Sequence, residues 1–90
     1  MDEMSNLLVR RDIVRAYLLA LDHTPELLAV CAASSGEEDA RRRLRELFGI
    51  SDVQANAILR LQVLRFMPDQ IERVRSELDD ITARLERLDR

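Results

Sequence analysis

The last third of the chain places apolar residues at Ile71, Val74, Leu78, Ile81, Leu85 and Leu88, a 3-4-3-4-3 spacing with charges at most positions between them. This is a heptad pattern, so the segment is expected to be a helix with one narrow apolar seam. The seam covers under three heptads, and an isolated helix of that length is marginal in water. It therefore predicts a partner helix. The natural candidate within the chain runs from about Asn6 to Asp22, where Leu7, Val14, Leu18 and Leu21 recur at helical spacing. Ninety residues leave room for one small domain, in the size range where an isolated core is marginal and oligomers are common.

Composition restricts what lies between those two helices. Gly and Pro number two each, too few for a chain rich in turns or strands, and without Trp the core must come from Leu, Ile, Val and Ala. The chain reads as all-α with five helices. Thr24 can cap a second helix that starts with Pro25 at its first position and runs to about Ala33. Ser34-Ser35-Gly36 breaks it, and Ser35 with Glu38 has the form of a capping box for a third helix, about Gly36 to Phe48, ended by Gly49. Ser51 and Gln54 form a second capping box, opening a fourth helix from Asp52 to about Phe66. Pro68 stops that helix by pushing Met67 away from helical geometry, and the fifth helix begins at Pro68 or Asp69.

The fourth helix, read as continuous to Phe66, is apolar on two sides. At about 100° per residue, Val53, Ala57, Ile58, Leu61 and Leu64 fall on one side and Ala55, Leu59, Val63 and Phe66 on the other. A helix with two apolar faces is buried on both. A chain this small can hardly cover both faces itself, so the second is expected to meet a symmetry mate. The expected self-association surface includes Leu59, Val63, Phe66 and Met67.

Chemistry-bearing residues are sparse. Arg41-Arg42-Arg43-Leu44-Arg45 is the densest basic run, and Arg41, Arg42, Arg43 and Arg45 are the candidates for contact with DNA phosphates. Glu37, Glu38 and Asp39 stand four residues before Arg41, Arg42 and Arg43, the favourable order for helical ion pairs, which predicts an internally neutralised face. Every basic residue is Arg, and the formal charge of −3 gives no global pull toward nucleic acid or anionic lipid. Tyr17 lies mid-helix and reads as a packing residue. His23 reads as a turn residue, and Cys31 as a small core hydrophobe. One cysteine cannot close an intrachain disulfide and suits a reducing cytoplasm. No apolar run approaches a membrane span, the acidic start MDEMSN has no signal-peptide features, and no phosphate loop, metal cluster or cofactor motif is present.

The stretch Phe48-Gly49-Ile50-Ser51, Gln54-Ala55, Ala57-Ile58-Leu59 and Leu61 resembles the "FG(L/I)S-x-x-QA-x-AIL-x-(M/L)-R-L" segment of type IIA DNA topoisomerase A subunits, the family that includes the A subunits of DNA gyrase and topoisomerase IV. Outside it, Arg10 to Val14 with Ala20 to His23 looks like the family's "RAHIL…AL-x-N-ID" helix and turn. Leu27 to Cys31 stands where that family has "IIxLI", Ser35 to Ala40 is similar to its "T-x-x-EA" helix start, and the heptad helix resembles its returning arm. In that family this region builds the C-gate, the exit gate where two subunits meet. The resemblance implies a single C-gate-like domain over residues 1–90. Arm helices at about 6–22 and 69–90 would pair antiparallel as a short coiled coil, carrying a helical knob at about 25–66. It also implies self-association as a homodimer, with the A subunit of gyrase or topoisomerase IV being a further candidate partner.

Two departures bear on function. The family's "RLTGLE-x-x-KI" turn is replaced by the shorter Arg65-Phe66-Met67-Pro68-Asp69-Gln70-Ile71, which alters the turn near the family's subunit contact. No Arg-Tyr nucleophile motif or ATP site is present, so the chain is not expected to be an enzyme. Three functions compete. The first is a non-catalytic homodimerising module of C-gate type that modulates or binds a topoisomerase. The second is a partial or degenerate topoisomerase A subunit without separate activity, and the third is a small DNA-binding protein using the Arg41 to Arg45 face.

Overall fold

The computed structural model describes residues 2–89. Helix α1 (Glu3–Asp22) and helix α5 (Pro68–Leu88) are the long elements, and α2 (Thr24–Ala33), α3 (Glu37–Phe48) and α4 (Asp52–Leu59) lie between them in the chain. A single 3₁₀ turn, Val63–Phe66, links α4 to α5. The described residues form no strand.

α1 and α5 run antiparallel. The pairs Glu3–Arg84 at 2.6 Å, Arg10–Glu77, and Asp22–Arg75 at 2.6 Å step forward along α1 and backward along α5. Between them Val14, Leu21, Val74 and Ile81 are buried, with Leu7, Tyr17, Leu18, Ile71, Leu78 and Leu85 packed around them. Leu88, the last residue of the apolar seam, is 41% exposed and is not part of this cluster.

A second cluster holds α2, α3 and α4 against the other side of α1. It consists of Ala16, Ala20, Leu27, Leu44, Ala55 and Ile58. Residues 14 and 21 of α1 lie two turns apart and face α5, while Ala16 and Ala20 lie one turn apart and face the short helices. α1 is thus the spine shared by both layers. Alanine on both α1 and α4 leaves room for the two backbones to approach closely.

Local signals account for most of the helix ends. Ser51 and Gln54 make a reciprocal capping box, with Gln54 N–H donating to Ser51 Oγ at 3.1 Å and Ser51 N–H to Gln54 Oε1 at 3.0 Å. Gly49 ends α3 at φ 64°, a left-handed conformation that suits glycine. Two expected caps are replaced. α3 begins at Glu37 after Gly36, so its third residue is Asp39, and it is the Asp39 carboxylate that accepts from Ser35 N–H at 3.0 Å in place of a Ser35–Glu38 box. Thr24 does not accept from α2. Its hydroxyl donates to the Leu21 carbonyl at 3.1 Å and so satisfies the end of α1.

The larger correction concerns the fourth helix, which ends at Leu59 and not at Phe66. Arg60 N–H reaches back to Ala57 and Ile58, Leu61 N–H bonds Ile58, and the chain then extends through Gln62. No Gly or Pro imposes this break. In an unbroken helix Leu61 and Phe66 would point about 140° apart. With the break, both pack where the two clusters meet and touch each of them. Tertiary packing overrides the helical preference of this stretch.

Candidate self-association surface

The break also removes the premise of a helix with two apolar faces. Leu59, expected on the outer face, is partly buried against the α2–α4 cluster, and Phe66 is packed between both clusters. Apolar surface remains nearby nonetheless. Val63 is 82% exposed, Leu64 52% and Met67 50%, all within five consecutive residues. Of the four residues expected at the self-association surface, Val63 and Met67 lie on this exposed ridge, while Leu59 and Phe66 form its inner support. Leu64 escapes the sequence reading, because continuous helical geometry assigns it to the opposite face from Val63.

The ridge is rigidly mounted. The capping box fixes the start of α4, and Gln54 Nε2 donates to the Asp12 carbonyl at 2.8 Å, tying α4 to α1. On its other side Pro68 lies in the first turn of α5, and Met67 before it is extended, at φ −77° and ψ 144°. The 3₁₀ turn is held between two anchored helices with Leu61 and Phe66 as pins beneath it.

The arginine face of α3 is compensated residue by residue. Arg41 lies 3.7 Å from Glu37 and 3.9 Å from Asp52, and it bonds Asn56 Oδ1 at 3.4 Å. Arg42 contacts Asp39 at 2.5 Å and Glu46 at 3.2 Å, Arg43 contacts Asp39 at 3.0 Å, and Arg45 contacts Asp52 at 3.5 Å. Arg42 thus chooses Asp39 and Glu46 and makes no contact with Glu38. The Ser35 backbone N–H, with Arg42 and Arg43, pulls the Asp39 carboxyl down to about 2, and Asp39 in turn raises Arg42. These are ion pairs at an exposed surface, individually worth little, but together they leave few guanidinium groups free for a phosphate backbone.

The remaining candidates occupy structural positions. Tyr17 is half-buried beside the α1–α5 seam. His23 sits at the α1–α2 junction, where its Nδ1–H donates to the Leu19 carbonyl at 2.8 Å and its ring lies 5.8 Å from that of Phe48. Cys31 is exposed, contrary to its expected place in the core. α2 is anchored chiefly through Leu27, with Val30 partly buried, so the rest of this apolar helix, including Leu28 at 59% exposure, faces outward. Among the described residues no three His, Cys, Asp or Glu side chains are placed to hold a metal, and no helix is long and apolar enough to cross a membrane.

No protein-family model matches the chain. Curated relatives do. The chain is 38% identical over 73 residues to the DNA gyrase A subunit of Treponema pallidum, covering 81% of this chain and 9% of that protein. It is 36% identical over 76 residues to the DNA gyrase A subunit of Streptomyces coelicolor, covering 84% and 9%. Against the DNA gyrase A subunit of Campylobacter jejuni the identity is 32% over 87 residues, covering 97% and 10%. The chain spans about a tenth of the length of the curated relatives it matches. Across most of its residues, then, this all-α chain is related to one short segment of the A subunit of DNA gyrase.

Proposed function

We propose that the chain is a non-catalytic self-association module of C-gate type, in which two copies meet across the turn between α4 and α5. One observation carries this reading. Val63, Leu64 and Met67 form an exposed apolar ridge on a rigid mount, next to the part of the chain that most specifically resembles a topoisomerase subunit contact. Three large apolar side chains left in water within five residues are a better fit to an interface than to a free loop tip. A two-fold contact would be isologous, each ridge meeting its twin. The arm, α1 against α5, sets the position of that ridge.

Self-association is tested by sedimentation of the purified chain at micromolar concentration. A dimer supports the proposal, and a well-folded monomer at every concentration overturns it. In that case the chain would remain a topoisomerase-related segment with no gate of its own. A gyrase A subunit is the other occupant this ridge would accept, and capture of that subunit by the wild-type chain but not by a ridge variant would extend the partnership beyond the twin. Such a module would work in the cytoplasm and have no DNA-cleaving activity of its own, since Tyr17, the one tyrosine of the sequence, follows Ala16 and not the arginine of a nucleophile motif.

A further inference from the structure

The break after Leu59 has a second consequence. Arg60 and Arg65 are five residues apart, and in a continuous helix they would point about 140° from one another. In the folded chain both line one concave site, together with Tyr17 from α1, Leu61 and Gln62. Two arginines, a tyrosine and a glutamine therefore border one concave site at the junction of arm and turn, and no Asp or Glu is among the residues that line it.

These arginines also differ from those of α3. Arg41, Arg42, Arg43 and Arg45 each contact one or two carboxylates. Arg65 forms no ion pair with any described residue, although it is half-buried. Arg60 has one partner, Glu37, reached through Nη2 at 3.2 Å in a pair whose side chains are 67% and 57% exposed. A pair so exposed is weak and leaves the other guanidinium N–H groups available.

We propose that this cleft binds a phosphate group. Two separate cations with neutral donors between them suit a tetrahedral oxyanion carrying one or two negative charges. A lone carboxylate would be satisfied by a single arginine fork. Arg60 and Arg65 supply the charge, and the Tyr17 hydroxyl and the Gln62 amide supply neutral donors. Leu61 closes the floor, holding the cleft against the packed junction of the two clusters. The phosphate is either a free anion or the phosphodiester of a nucleic-acid backbone, and the two sources share this chemistry. If the second applies, DNA contact lies here and not on the Arg41 to Arg45 face. Phosphate binding in this cleft does not depend on self-association.

The test is a titration of the isotopically labelled full chain, followed by amide and arginine side-chain resonances, with inorganic phosphate in one arm and a short DNA duplex at low salt in the other. Resonances of Tyr17 and residues 60–66 should shift saturably in at least one arm. Arg65→Gln should weaken that binding by about fivefold or more, on the scale of one partly solvated charge-assisted hydrogen bond. Tyr17→Phe should weaken it by about twofold while keeping the packed ring. Arg87→Gln, which changes net charge equally from the last turn of α5, should have no effect. Saturable shifts with phosphate alone identify the free anion as the source, and duplex binding lost in Arg65→Gln identifies the backbone. No saturable shift in either arm, or binding equally insensitive to Arg65→Gln and Arg87→Gln, overturns the proposal.

Discussion

Replacing Val63 with Glu separates self-association from folding, because the two depend on Val63 in opposite ways. In the single chain Val63 is 82% exposed and belongs to neither buried cluster. Folding of the monomer therefore has little to lose, and a surface substitution of this kind is expected within about 0.5 kcal/mol. The dimer has far more at stake. Fully burying a valine is worth roughly 1.5–3 kcal/mol, and about four-fifths of that remains unrealised until a partner covers it. An isologous contact counts the residue twice, so the apolar loss alone is about 2.5–5 kcal/mol per dimer. At about 1.4 kcal/mol per tenfold, dimer dissociation should shift by roughly two to three and a half orders of magnitude. Two carboxylates brought together and desolvated add to this in the same direction. Sedimentation velocity over a micromolar concentration series, with thermal melting of the same samples at high dilution, reads both quantities. The expected result is a monomer whose melting at high dilution matches wild type. A Val63→Glu chain that still sediments as the wild-type dimer would refute the ridge as the contact. One that is unfolded at high dilution would refute the claim that Val63 is idle in the monomer.

Other expectations concern the two layers, the acidic cap and catalysis. Leu44 is fully buried among α1, α2 and α4 residues, so Leu44→Ala should cost about 2–5 kcal/mol in urea unfolding. Leu78, only half-buried in the seam, should lose about half as much on Leu78→Ala, and equal losses would contradict this difference in burial. Asp39 has a folded-state value of about 2, below that of the unfolded chain, so its contribution is present above about pH 4 and disappears as pH falls toward 2. An Asp39→Asn chain should accordingly lose less melting temperature than wild type between those limits, and parallel curves would remove Asp39 as a cap. Plasmid relaxation and cleavage assays with the pure chain should show no activity, whereas any activity abolished by Tyr17→Phe would reverse the assignment of that residue.

Features legible in the sequence are those decided within a turn or two of the residues concerned. Gly49 stops α3 because one residue must be left-handed there, and Ser51 with Gln54 satisfies donors three residues apart. Pro25 and Pro68 mark helix starts because their rings set φ and their missing N–H groups are not needed. The spacing of Val74 and Ile81 against Val14 and Leu21 follows from helical periodicity alone, as does the need for a partner helix. Even the α3 ion pairs are partly visible, because Glu37–Arg41 and Asp39–Arg43 depend only on positions four apart.

Tertiary structure decided everything that turns on which face a neighbour occupies. The sequence from Arg60 to Gln62 contains no helix breaker, yet α4 ends at Leu59, and the break lets Leu61 and Phe66 pack together where the two clusters meet. From that break follow the exposure of Val63 and Leu64 together, the use of Leu59 and Phe66 inside the chain, and the meeting of Arg60 with Arg65. Cys31 illustrates the same limit. Its helix is apolar on most sides, but the other elements meet it chiefly at Leu27 and Val30, so burial stops there. Local chemistry determines where helices begin and how they repeat along the chain. Which of their faces become interior depends on contacts between residues far apart in sequence, and no local pattern encodes those.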